Sequence, residues 1–158
     1  MVKKLISLFF FSLLVLLLLS GCDSNNVNND IFKYKGSYIG DNNAVGDIVS
    51  HLPGGDLLQG FELKTDTRPY GMILIYQGIK GESFVKERAI CNATFIFALI
   101  QNVEWITFKF EQQEYELTKE NLQDWYGKDL SDFSSENELR ELTQNYLGDE
   151  SKVNQLFN

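Results

Sequence analysis

The chain has 158 residues and a net charge of −8 at pH 7. This acidic balance argues against nucleic acid as a partner, because an acidic surface is repelled by phosphate polyanions. The only cysteines are Cys22 and Cys91, which excludes a framework of disulfides within the chain. Residues 31–158 suffice for one domain that buries about two-thirds of the surface its unfolded chain exposes.

The N-terminus has the pattern of a bacterial lipoprotein signal. Lys3 and Lys4 precede a mostly apolar run over residues 5–19, and Ser20-Gly21-Cys22 follows. A membrane-spanning helix is the alternative, but a span needs about 20 apolar residues and this run is shorter. The pattern therefore predicts a signal peptide over residues 1–21 and a diacylglyceryl modification of Cys22.

Lipidation of Cys22 predicts the location of the protein. Two acyl chains anchor a protein stably, so the membrane is the first expected partner and the extracytoplasmic face of the cell membrane the expected place. Residues 23–30 are small and polar, which predicts a disordered tether next to the lipidated cysteine over residues 22–30. Cleavage removes two lysines and changes the net charge from −8 to −10.

Residues 31–158 predict a single extracytoplasmic domain. An extended segment over residues 31–38 leads to a helix that is capped by Asp41 and ends near Leu52. Alternation over residues 61–66 predicts a half-buried strand. The apolar run 72–76 predicts a central strand that is buried on both faces.

The most hydrophobic segment of the domain, Phe84 to Val103, predicts a core helix, because a helix that is apolar nearly all round is usually buried. A second hairpin is expected over residues 105–117. Thr118 is expected to cap a short helix, and the capping box at Ser135 predicts a helix that ends near Gly148, with one or two further turns after it.

The order of these elements is α-β-β-α-β-β-α-α. Two hairpins, each preceded by a helix, predict an α+β fold. Its four-stranded, mainly antiparallel sheet would carry the central apolar helix on one face, with further helices at both ends.

The residue pattern predicts no catalytic, metal or cofactor site, and we expect the protein not to be an enzyme. His51 is the only histidine, and the chain has no nucleophile-elbow pattern to accompany it. Cys91 lies among apolar neighbours, which predicts an inert thiol with a raised pKa. Residues 41–47 begin like a calcium loop, but Val45 and Leu52 occupy two ligand positions, which favours the helix cap instead.

Two sets of residues are candidates for binding. Asn92, Thr94 and Asn102 are polar groups in the apolar helix, and they either brace neighbouring loops or line a ligand pocket. Internal bonding is favoured, because most buried polar groups are satisfied within the protein. Trp125 and Tyr126 flank a polar loop and form either a partner surface or an aromatic plug at one end of the core, with the plug favoured.

Several short motifs resemble those of a known family: Tyr38-Ile39-Gly40-Asp41-Asn42, Leu52-Pro53, Phe61-Glu62-Leu63, Pro69-Tyr70-Gly71, Asn92-Ala93-Thr94, Leu99-Ile100-Gln101-Asn102-Val103 and Tyr126-Gly127-Lys128-Asp129-Leu130. Over nearly all of residues 31–158 the chain resembles an uncharacterised extracytoplasmic domain of Gram-positive bacteria, the domain of unknown function with the serial four-eight-two-five. Members are often small lipoproteins, and the domain is also appended to membrane regulators that resemble beta-lactam-sensing metallopeptidases. The resemblance implies a sensing or interaction role and carries over no catalytic residue.

Three functions are compatible with these patterns. The leading hypothesis is a lipid-anchored binding, sensing or interaction module whose partner is an envelope or membrane protein. An envelope enzyme with an acid-based site is the second, and it needs a cleft that gathers carboxylates. An immunity or inhibitor lipoprotein is the third, and it needs an exposed apolar patch larger than a few hundred Å².

Overall fold

The structure, a computed structural model, describes residues 30–157. The predicted signal peptide, the lipidation site Cys22 and the tether up to residue 29 lie outside the described residues. Within residues 30–157, none of the helices has both the length and the apolar character that crossing a bilayer requires.

The elements follow the predicted order. The α-helices are α1 (Asn42–His51), α2 (Glu82–Leu99), α3 (Lys119–Tyr126), α4 (Glu136–Leu147) and α5 (Glu150–Leu156), and the strands are β1 (Leu58–Lys64), β2 (Gly71–Tyr76), β3 (Trp105–Lys109) and β4 (Glu114–Thr118). Short 3₁₀ turns cover Ile31–Tyr34, Gly55–Leu57 and Leu130–Asp132.

The four strands form one sheet in the order β1-β2-β3-β4. Both outer pairs are antiparallel, while β2 and β3 pair in parallel, with Gly71 opposite Trp105 and Ile73 opposite Thr107. The central pair is parallel because α2 carries the chain back to the edge at which β2 began, the usual role of a crossover helix. The predicted α+β fold with a mainly antiparallel sheet is confirmed.

The sheet has a buried face and an open face. Successive strand residues point to opposite sides, and Leu74, Tyr76 and Phe108 are among the fully buried residues of the core. Ile73 and Ile75 are only partly buried. The prediction that β2 is buried on both faces is therefore wrong, because one face of this strand stays partly exposed.

Helix α2 is the centre of the core, with buried residues on all of its sides from Val85 to Leu99. It ends at Leu99 instead of the predicted Val103, because the following backbone leaves the helix to meet the N-terminal segment. Gly36 N–H donates to Leu99 O at 2.9 Å, and Gln101 N–H donates to Ser37 O at 2.9 Å. Asn102 is therefore not a helical residue, contrary to the prediction.

Local side-chain caps begin the helices where they were expected. Asp41 accepts from Ala44 N–H at 3.1 Å, and Thr118 accepts from Asn121 N–H at 3.1 Å. The N-terminal segment differs from its prediction. Asp30 accepts from Phe32 N–H at 2.9 Å, so residues 31–34 form a capped 3₁₀ turn instead of an extended run.

At α4, the capping box is shifted by one residue. Ser135 Oγ accepts from Glu138 N–H at 3.3 Å, as expected. The Glu138 carboxylate, however, accepts from Ser134 N–H at 2.8 Å, one residue before the cap. The helix begins at the predicted place with a slightly different set of partners.

Candidate functional site

Asn92 is fully buried and connects three elements of the fold. Its Nδ2 donates to Pro53 O at 3.2 Å and to the Tyr76 hydroxyl at 3.0 Å, which ties α2 to the loop after α1 and to β2. Its Oδ1 has no hydrogen-bond partner within residues 30–157. The amide donors thus act as an internal brace.

Thr94 forms a second internal brace one half-turn further along α2. Its hydroxyl donates to Ile90 O at 2.7 Å, and its oxygen lies 3.0 Å from the Tyr126 hydroxyl. Because the single Thr94 proton is committed to Ile90, the Tyr126 hydroxyl is the donor in that pair. Burial raises the pKa of Tyr126 to about 12, which keeps this donor protonated at neutral pH.

The remaining candidate residues also turn inward or toward one another. Asn102 Oδ1 accepts from Ile39 N–H at 2.8 Å. Trp125 Nε1–H donates to Lys152 O at 3.0 Å, and the ring centroids of Trp125 and Tyr126 are 4.8 Å apart. Tyr146 completes this three-ring cluster at 4.9 Å from each of them. The structure does not bring these five candidates together at one pocket.

The local surroundings of His51 and Cys91 explain both residues without a catalytic role. His51 is the exposed last residue of α1, and its Nδ1 lies 2.7 Å from Asp47 O of the same helix. Burial raises the pKa of the Cys91 thiol. Within residues 30–157, no group of three or more histidine, cysteine or acidic side chains is arranged to hold a metal ion.

A groove that the sequence did not reveal lies at the edge of the sheet where β2 and β3 begin. Its volume is 630 Å³, and Trp105 forms one of its walls; the other lining residues are Pro69, Glu104, Thr118, Lys119, Glu120, Asn121, Gln123 and Asp124. They come from the turn before β2, from the start of β3, from the end of β4 and from α3. We call this the Trp105 groove.

Trp105 is held in place by its neighbours. Its indole occupies the space above Gly71, where a side chain would overlap the ring. Its Nε1–H donates to Pro69 O at 3.0 Å. These two contacts fix the plane of the indole at one wall of the groove.

Three of the side chains lining the Trp105 groove are carboxylates. Glu104 lies 3.9 Å from the exposed guanidinium of Arg68. Glu120 and Asp124 follow at i and i+4 on α3, and neither forms an ion pair within residues 30–157. Like charges at this spacing weaken a helix, so α3 tolerates a local electrostatic penalty at the groove.

Lys119 also lines the groove and is partly buried there. Burial lowers the pKa of Lys119, and the charge of Asp129 opposes this effect. Asp129 belongs to the loop after α3 and does not line the groove. Lys119 forms no ion pair with Glu120 or Asp124 within residues 30–157.

A second cavity of 460 Å³ surrounds the loop at Gly127 and Lys128. Two of its three acids are already engaged: Asp129 accepts from Ser131 N–H at 2.8 Å, and Glu138 accepts from Ser134 N–H at 2.8 Å. The same bonds lower the pKa of both carboxyls. The Trp105 groove has freer functional groups and is the better candidate site.

The chain matches a known protein family. The family model described as "Domain of unknown function (DUF4825)" matches residues 31–120. The chain belongs to this family. No curated protein and no solved structure matches the chain.

The DUF4825 match covers the whole sheet together with α1 and α2, and it ends at the second residue of α3. Glu104, Trp105 and Glu120 of the groove lie inside the match, whereas Asp124 lies beyond it. The resemblance to the family is thus shown for residues 31–120, and the Tyr126–Leu130 motif falls outside that range.

Proposed function

We propose that this DUF4825 protein is a lipid-anchored, non-catalytic binding module on the extracytoplasmic face of the cell membrane. The anchor is supported by the sequence from Lys3 to Cys22. The domain would then be held near the membrane by the acyl chains of Cys22 and the tether over residues 23–30. The Gram-positive source, the palmitate on Cys22 and the envelope partner are parts of the same proposal.

The observation that carries the binding role is the Trp105 groove. Its 630 Å³ volume lies within the range of ligand pockets, about 300–1,000 Å³. A fixed aromatic wall and unpaired carboxylates are groups that recognise a ligand. The groove is assembled from rigid strand ends and a capped helix, which preorganises it.

An acid-based envelope enzyme is a second candidate, since the groove gathers Glu104, Glu120 and Asp124. Such an enzyme would lose about 10²–10⁴-fold in rate when its acid or base is neutralised. A binding module would instead keep a graded affinity in the Glu120→Gln and Asp124→Asn variants. Binding is favoured because His51 and Cys91, the other groups suited to catalysis, are remote from the groove and committed to the fold.

The anchor is tested by metabolic labelling with a palmitate analogue in a bacterial host. We expect label on the wild-type chain and on Cys91→Ala, and membrane retention of both. Cys22→Ala should lack the label. Label that persists on Cys22→Ala would contradict the proposed anchor.

The tether is tested by deleting residues 23–30. We expect the shortened protein to fold, because the buried core begins at Ile31 and only the Asp30 cap of the first 3₁₀ turn is lost, but to reach a partner less well. Crosslinking in detergent-solubilised membranes, followed by pull-down, compares the two forms. Equal recovery of the same partner would show that the tether has no such role.

A further inference from the structure

We infer that the Trp105 groove receives a basic peptide segment, with a Lys or Arg side chain placed between Trp105 and the carboxylates of α3. This inference rests on the proposed binding function and names the chemistry of the partner. The partner would be a protein that displays a lysine-rich or arginine-rich segment in the envelope.

The first argument is charge complementarity. Glu120 and Asp124 are exposed like charges one helical turn apart, without an ion-pair partner in the described part of the chain. A cation bound between them removes their mutual repulsion and gains two attractive interactions. The two carboxylates therefore favour a positively charged group at this position.

The second argument is the nature of the aromatic wall. The only polar atom of the Trp105 side chain is occupied by Pro69 O at 3.0 Å. The indole therefore has no free polar group for a ligand, and its π surface is the part that attracts a cation, more strongly than that of any other side chain. Carboxylates beside an indole form a site suited to an ammonium or guanidinium group.

The third argument concerns the size of the ligand and the field of the whole domain. A groove of 630 Å³ holds more than one side chain, which favours a peptide over a single amine. The net charge of the mature chain, −10 after loss of Lys3 and Lys4, attracts basic partners over a distance of about a Debye length. The groove would determine the specificity of binding, and the electrostatic field of the domain would raise the rate of encounter.

The test uses the indole N–H signals of the lipidated mature protein in nonionic detergent micelles. The chain has two tryptophans, so a ¹⁵N-tryptophan sample gives two indole signals, and Trp125→Phe assigns them. Capped penta-lysine is titrated, with capped penta-glycine as the neutral reference. We expect saturable movement of the Trp105 signal, little movement of the Trp125 signal, and weaker binding at higher salt.

The variant that tests the site is Glu120→Gln/Asp124→Asn. It should raise the Kd for penta-lysine about tenfold. The matched control is Asp56→Asn/Glu141→Gln, which changes the net charge equally at exposed residues away from the groove. This control should keep the Kd within about twofold of the wild-type value.

Three results would overturn the inference. They are an unmoved Trp105 signal, equal weakening by the two double variants, and saturation by a neutral oligosaccharide but not by penta-lysine. None of these affects the proposed anchor, which depends on the labelling of Cys22. Conversely, loss of the anchor with intact penta-lysine binding would refute the membrane location and leave the ligand class standing.

Discussion

Trp105 lies over Gly71 on the neighbouring parallel strand, and the indole occupies the space that a side chain at position 71 would need. This relationship makes the glycine a steric requirement of the groove. We predict that Gly71→Ala destabilises the fold by about 1–3 kcal/mol, the usual range for overpacking. Urea denaturation measures the change in the free energy of unfolding.

Gly60 provides the matched control for this substitution. It also lies in a strand of the same sheet, but a Cβ there meets no atom within 4 Å. Gly60→Ala should therefore change the stability little. In a Trp105→Ala background, Gly71→Ala should lose most of its effect, and an unchanged penalty there would show that the indole is not the cause.

The pair formed by Thr94 and Tyr126 predicts an energetic coupling inside the core. Their oxygens are 3.0 Å apart in a buried setting. Thr94→Val and Tyr126→Phe should each destabilise the protein, and the double variant by about 1 kcal/mol less than the sum. Calorimetry of the four proteins gives the coupling energy.

A distant pair shows whether that coupling is specific. Thr107 lies in β3 and bonds Glu116 at 3.2 Å, away from Tyr126. Thr107→Val combined with Tyr126→Phe should therefore be additive. Non-additivity of similar size in both cycles would refute a specific bond between Thr94 and Tyr126.

Alkaline pH should weaken the fold through two buried tyrosines. Burial raises the pKa of Tyr76 and of Tyr126 to about 12, against about 10 in an unfolded chain. The folded state retains these protons longer, so their contribution to stability is complete below pH 10 and is lost as the pH rises toward 12. The loss is on the order of 2–3 kcal/mol for each tyrosine.

Tyr76→Phe removes one of these titrating groups. We expect the free energy of unfolding of this variant to fall less steeply between pH 10 and pH 12 than that of the wild type. Tyr38→Phe, at a ring that is 57% exposed, is the control and should keep the wild-type slope. Identical slopes for wild type and Tyr76→Phe would contradict the assignment.

The C-terminal helices should be indispensable even though they lie beyond the family match. Leu130, Leu139, Leu142 and Val153 belong to the same buried core as α2. Removing residues 128–158 exposes one side of α2, and we expect a compact state with helical signal but without cooperative melting. Near-ultraviolet circular dichroism and dye binding detect this state.

A shorter deletion should destabilise the fold less. Removing residues 150–158 uncovers Val153 but keeps α4 with Leu139 and Leu142. This variant should still melt cooperatively, at a lower temperature than the wild type. Cooperative unfolding of the longer deletion at the wild-type temperature would show that residues 31–127 fold without the helices.

The elements that were predictable are those set by neighbours in sequence. Asp41, Thr118 and Ser135 each cap the helix that follows them, because a cap needs only a side-chain oxygen two or three residues before a free amide. The end of α2 was not predictable. It depends on the docking of residues 36 and 37, some sixty residues earlier in the chain.

The candidate site was also only partly predictable from the sequence. The polar groups of α2 were visible as exceptions in an apolar segment, and the structure bonds Asn92 and Thr94 internally. The Trp105 groove is assembled from segments that meet only once β2 and β3 pair in parallel. The contact between Gly71 and Trp105 cannot be predicted until the register of β2 and β3 is known.

The attachment of the first segment has a mechanical consequence. Tyr34 bonds the carboxylate of Asp47, and Lys35 Nζ donates to Ser131 O at 2.8 Å and to Phe133 O at 2.5 Å. If the protein is tethered through its N-terminus as proposed, tension enters at Asp30 and is divided between α1 and the loop before α4. A pull from the membrane would thus load both halves of the domain together, so that the fold resists it as one body.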